Sequence, residues 1–127
     1  MITLQNQNNF SRHATLLRKP SSVIAPHDLY GRFDSLLAET EYMLSSGAML
    51  ADEALSMCFL HHPILVIRAK AAKEQFLCVS NIRTFMLAHA VLKGGDELPV
   101  ILLDSPRPSA EEIALMVNAD LVVTPLL

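Results

Sequence analysis

Residues 98–104 read LPVILLD, an unbroken apolar run closed by Asp104. A strand with one wet face alternates apolar and polar side chains, so a continuous run predicts a strand covered on both faces. Residues 82–92, IRTFMLAHAVL, are apolar nearly all round. That pattern predicts a helix buried between layers, with Gly94-Gly95 as its C-terminal cap. Both features demand a layered fold with much apolar material. The chain meets that demand: 51% of its 127 residues are hydrophobic, enough for one domain with a single core. The apolar excess could also cover a partner, and a homodimer is the expected assembly.

The remaining elements follow from local pattern. Residues 1–13 hold Gln, Asn, Ser and His without periodicity and read as a mobile arm, leaving 14–127 as the single domain. TLLRKPSSVIAP, with Pro20 and Pro26, suits short edge strands or extended coil. Residues 33–46, FDSLLAETEYMLSS, place Phe33, Leu36, Leu37, Ala38, Met43 and Leu44 on roughly one face of an amphipathic helix ended by Gly47. A second helix is expected over 50–59, with Asp52 and Glu53 in its first turn and a stop at His61-His62-Pro63. Residues 64–69 and 76–80 are β-branched and aliphatic and read as a strand pair across KAAKE. Helical periodicity resumes over 109–118, and LVVTPLL reads as a final short strand or extended tail. The order of elements gives a mixed α/β fold, a small mixed sheet with packed helices.

Charge narrows the function. The formal net charge is −3, with no run of like charges and no basic stripe, so direct nucleic-acid binding by this chain alone is disfavoured. Asp52-Glu53, His61-His62, Arg68 and Lys70 interrupt the most hydrophobic region, and no membrane span is expected. The first residues, MITLQNQNNFSRHA, lack an apolar signal core. The expectation is a soluble, cytoplasmic protein.

Cys58 and Cys78 sit in apolar contexts and read as buried thiols rather than a disulfide framework. His61 and His62 are adjacent, so their side chains diverge and make poor co-ligands; with no second ligand group in the chain, no metal site is predicted. His89 lies among apolar residues and reads as a hydrogen-bonded core histidine. No nucleophile elbow, Walker loop, dinucleotide fingerprint or zinc-protease motif is present. Nothing in these motifs demands an enzyme.

The most informative turn is Ser80-Asn81-Ile82-Arg83, where a strand hands over to a helix. Unpaired N–H groups at a helix start favour an anion. Ser80 or Asn81 can serve as N-cap, and Arg83 falls in the first turn, where the helix dipole disfavours a cation unless an anion sits beside it. The bland alternative is a capped helix whose arginine reaches water. The absence of glycine also hinders close approach of a phosphate to the backbone.

HHPILVIRAKAAKEQFLCVSNIRTFMLAHAVLKGGDELPVILLD, residues 61–104, resembles the core of the ParB/sulfiredoxin superfamily: a helix leading to a proline-started strand, a second strand ending in an arginine-bearing turn, a helix, and a strand opening on a Leu-Pro-Val run. The resemblance covers residues 21–104. It implies phosphate or nucleotide binding at the helix start, with magnesium as a companion of the nucleotide. ParB-like members carry Gly-Glu-Arg-Arg at this turn; here Ser80, Asn81 and Ile82 depart from it and Arg83 matches. Laid on the Gly-Gly-Cys-His-Arg of sulfiredoxins, Asn81 takes the place of the cysteine, so the redox nucleophile is missing. The resemblance therefore implies a non-catalytic phosphate- or nucleotide-binding or regulatory module with Arg83, Asn81, Ser80 and His62 at its site. The alternatives are a homo-oligomeric interaction module without ligand and a degenerate nucleotide-handling enzyme. The helix-turn-helix region that follows this core in full-length partition proteins is not expected here.

Overall fold

The computed structural model describes residues 13–31, 52–72, 74–92 and 96–123. Strand β1 (His13–Pro20) leads through a 3-10 turn (Ser21–Val23) into β2 (Ile24–Pro26). A second 3-10 turn follows at Asp28–Tyr30. Helix α1 (Asp52–His61) precedes strands β3 (Ile64–Arg68) and β4 (Phe76–Ser80). Then come α2 (Ile82–Val91), β5 (Glu97–Ser105), α3 (Ala110–Asn118) and a π-helical turn over Ala119–Val123. The helix expected over 33–46 and the arm at 1–12 lie outside the described residues.

The five strands form one mixed sheet in the order β1-β5-β3-β4-β2. β3 and β4 pair antiparallel, as the sequence predicts, with Ile67 opposite Leu77. β5 runs parallel to β3, with Leu65 opposite Ile101, and antiparallel to β1. β2 adds in parallel to β4 at the far edge. Pro20 and Pro26 thus belong to the two edge strands, where a missing N–H leaves no gap in the centre of the ladder.

Coverage is deepest at the centre of the sheet. Successive residues Val66-Ile67 on β3 and Cys78-Val79 on β4 are all fully buried, and neighbours on a strand point to opposite faces. Both faces of the central pair are therefore covered, with α2 packed against β3 and β4 and α3 against β4. On β5, Leu98, Val100 and Leu102 are buried whereas Pro99, Ile101 and Leu103 are only half-buried. The double coverage expected of β5 is found instead on β3 and β4, because the helices gather over those two strands.

Four local expectations need correction. α2 is not buried all round: Ile82, Thr84, Phe85, Met86 and Ala88 face inward, but His89 is exposed, 6.0 Å from the Phe85 ring centroid. It is thus a surface histidine in the last helical turn and no core residue. Leu92, in an extended conformation, ends α2, and Gly94-Gly95 lie outside the described residues. Cys58 is half-buried rather than buried. Finally, Leu121-Val122-Val123, the described part of the expected final strand or extended tail, belong to a π turn over Ala119–Val123. The β-branched residues there favour a strand, yet β-propensity yields to tertiary bonds, and those made by Asp120 keep the chain coiled.

Candidate functional site

β4 ends at Ser80, and Asn81 swings the chain into α2 with φ 60° and ψ 48°. This is the left-handed region, which costs a residue with a Cβ about 1–2 kcal/mol and which Asn tolerates better than most. Among the described residues Asn81 is the one non-glycine with positive φ. Its backbone carbonyl accepts from the N–H groups of Thr84 and Phe85, at 3.1 and 3.3 Å. Its Nδ2 donates to the Pro63 carbonyl, fastening the start of α2 to the segment that leaves α1. The Asn81 carboxamide is thereby engaged away from the helix, and no side-chain cap comes from it.

The cap comes from Asp120. Its Oδ2 accepts the Ile82 N–H at 2.8 Å and the Tyr30 hydroxyl at 2.6 Å. Asp120 is 3% exposed and Tyr30 1%, so a carboxylate far along the chain supplies, inside the protein, the negative charge that a helix N-terminus attracts. Burial chiefly, with the nearby Cys78 and the bond to Asp120, pushes the Tyr30 phenol far above its ordinary range. Tyr30 is accordingly a fixed donor. Burial likewise drives the Cys78 thiol upward, and its S–H donates to the Ser80 carbonyl at 3.3 Å.

A cleft of about 580 Å³ opens beside this junction. Cys58 of α1 and His62 just beyond it contribute to the lining, as do Arg83, Thr84 and Leu87 of α2. Asn81 and Asp120 complete it. Arg83 is half-buried, and its Nη1 donates to the backbone carbonyl of Asp120 at 3.4 Å. The guanidinium and the Asp120 carboxylate make no ion pair within 4 Å. On the two buried side chains of the lining, Asp120 and Thr84, one polar atom each is left over among the described residues. No donor reaches Asp120 Oδ1, and the hydroxyl of Thr84, a residue only 6% exposed, has no hydrogen-bond partner.

Of the residues singled out in the sequence, Arg83, Asn81 and His62 line this one cleft. Ser80 is not among its lining residues; it terminates β4, and its carbonyl is occupied by Cys78. Sequence reasoning missed Asp120, Thr84 and Tyr30. A lone acid flanked by Ala119 and Leu121-Val122-Val123 is the one hint that position 120 is special, since an unpaired charge in an apolar run needs a partner. Among the described residues no group of three His, Cys, Asp or Glu could hold a metal ion, and no helix is long and apolar enough to cross a membrane. Comparison with family models, curated proteins and solved structures finds no match to this chain.

Proposed function

We propose that this chain is a non-catalytic binding or regulatory module of the ParB/sulfiredoxin-like kind, taking a phosphate-bearing ligand such as a nucleotide in the cleft at the start of α2. The observation that carries the reading is the convergence of Arg83 and His62, from separate elements, on one cleft. At about 580 Å³ the cleft falls within the range of small-molecule sites, roughly 300–1,000 Å³. A phosphate there would also offset the cost of holding a guanidinium in the first helical turn. The Ile82 N–H already serves Asp120, so side chains rather than helix amides must do most of the holding. This differs from a glycine-rich phosphate cradle and agrees with the absence of glycine from SNIR.

Calorimetric titration with nucleoside triphosphates, with and without magnesium, tests the reading. Saturable heat is expected, and Arg83→Ala should abolish it. Heat that survives the substitution, or no heat from any triphosphate, would overturn the reading.

A second reading, a homo-oligomeric interaction module, draws support from β1. This eight-residue edge strand pairs only with β5 among the described residues, and Leu16 on it is 70% exposed. A long strand edge with an apolar side chain is a template for pairing with another copy. Light scattering of the wild type and of Leu16→Lys tests it: a dimer dissociated by the lysine is the expected result, and a monomeric wild type sinks it.

A further inference from the structure

Asp120 is held by one of its two carboxylate oxygens. Oδ2 takes both internal donors, the Tyr30 hydroxyl and the Ile82 N–H, while Oδ1 takes none among the described residues. The side chain nevertheless lines the cleft while almost wholly buried. Thr84 repeats the pattern independently: it lines the same cleft, is buried, and carries a hydroxyl with no partner among the described residues. Buried polar atoms without partners are uncommon in native proteins, and each costs free energy that a bound group can restore. A fully ionised phosphate does not restore it at Asp120, because it would bring acceptor oxygens to an acceptor. The Arg83 guanidinium does not restore it either: it makes no ion pair with that carboxylate within 4 Å and directs Nη1 to the Asp120 backbone carbonyl.

We propose that the ligand of this cleft carries, close to its phosphate, a hydroxyl or amino group that donates to Asp120 Oδ1, with the Thr84 hydroxyl as second partner. The inference rests on the phosphate reading above and adds the chemistry of the ligand's other end. The cation and the free carboxylate oxygen belong to neighbouring groups, Arg83 Nη1 lying 3.4 Å from the backbone of Asp120 itself. The donor therefore stands only a few bonds from the phosphate, as in an aminoalkyl phosphate or a polyol phosphate.

Three small probes separate the alternatives by NMR titration of the full chain: ethyl phosphate, which has no donor beside its phosphate, phosphoethanolamine and glycerol 3-phosphate. A hydrogen bond to a charged acceptor should make a donor-bearing probe bind about tenfold or more tighter than ethyl phosphate. Preference for phosphoethanolamine alone assigns an amino group, and preference for both probes shows that a hydroxyl suffices. Asp120→Asn keeps an oxygen for Tyr30 and Ile82 but replaces the free acceptor with an NH₂ group. It should bind ethyl phosphate at least as tightly as the wild type and lose the preference. Should that variant fail to fold, Thr84→Val, which removes the second partner without changing side-chain shape, should reduce the preference severalfold. Equal binding of all three probes by the wild type, or a preference untouched by these substitutions, overturns the inference while leaving the phosphate reading in place. Binding of none of the three overturns both.

Discussion

Tyr30 and Asp120, 90 positions apart, meet in a buried 2.6 Å hydrogen bond, and the carboxylate oxygen that receives the phenol also receives the Ile82 amide. One side chain thus ties together the segment after β2, the start of α2 and the π turn after α3. Tyr30→Phe removes a donor and leaves the buried carboxylate with a single internal bond, a loss of about 1–3 kcal/mol. Asp120→Ala orphans two buried donors at once and should cost more than Tyr30→Phe. Urea unfolding midpoints check the order; a Tyr30→Phe variant as stable as the wild type would show that the bond contributes nothing net.

The same burial gives an alkaline signature. The unfolded chain releases a phenolic proton near pH 10, whereas the folded state holds that of Tyr30 to much higher pH. Above that point the unfolded state binds fewer protons, so this contribution is intact below pH 10 and is lost as pH rises, at about 1.4 kcal/mol per unit. Cys78, raised by burial, adds a parallel loss that begins at about pH 8.5, where an unfolded thiol ionises. Stability measured from pH 7 to 11 should fall in two stages. Cys78→Ala should remove the first and Tyr30→Phe the second.

Asn81 combines a backbone cost with a side-chain gain. Its left-handed conformation disfavours any Cβ, while Nδ2 bonds the Pro63 carbonyl. Asn81→Ala keeps the strain and loses the bond; Asn81→Gly loses the bond and relieves the strain. The glycine variant should therefore be more stable than the alanine variant by about 1 kcal/mol. Thermal unfolding of the pair measures this, and equal stabilities would show that the left-handed turn is not held in solution.

The sheet and helices were legible in the sequence because local pattern and burial agree there. ILVIR and FLCVS form the central strands, and IRTFMLAHAV forms the helix that covers them. Pro63 marks the end of α1, since the residue before a proline is pushed out of the helical region. Half of the candidate site could be read in the same way, since His62, Asn81 and Arg83 flank strand and helix boundaries. The other half could not. Asp120 reaches Ile82 across 38 positions and Tyr30 across 90, and neither separation leaves a period or spacing to detect. The π turn was hidden for the same reason: LVV is strand-like by propensity, and its coiling reflects bonds made elsewhere.

α3 opens on a reciprocal cap. The Ser109 hydroxyl accepts the Glu112 N–H and the Glu112 carboxylate accepts the Ser109 N–H, each at 3.1 Å. Ser109→Ala should cost about 1 kcal/mol, as losing an N-cap acceptor usually does. The pair Arg68–Asp104 offers a contrast. Its closest approach is 3.7 Å and both side chains are more than a third exposed, so Asp104→Ala should change stability by less than about 0.5 kcal/mol. Denaturant midpoints of the two variants should separate clearly, and an Asp104→Ala variant as weakened as Ser109→Ala would contradict this ranking.

The two cysteines differ in what surrounds them. Both are free; Cys58 is half-buried and lines the cleft, while Cys78 is wholly buried in the sheet. Thiolate, the reactive form, is disfavoured at Cys78 by its burial. An aromatic disulfide reagent should therefore modify one thiol per chain in the native protein and both in denaturant. Because Cys58 shares the cleft with Arg83 and Thr84, a saturating phosphate ligand should slow its modification severalfold while leaving the count in denaturant unchanged. In Arg83→Ala the ligand should no longer protect. Protection that persists in that variant would place the ligand elsewhere on the protein, and rapid native modification of both thiols would mean that the sheet opens around Cys78.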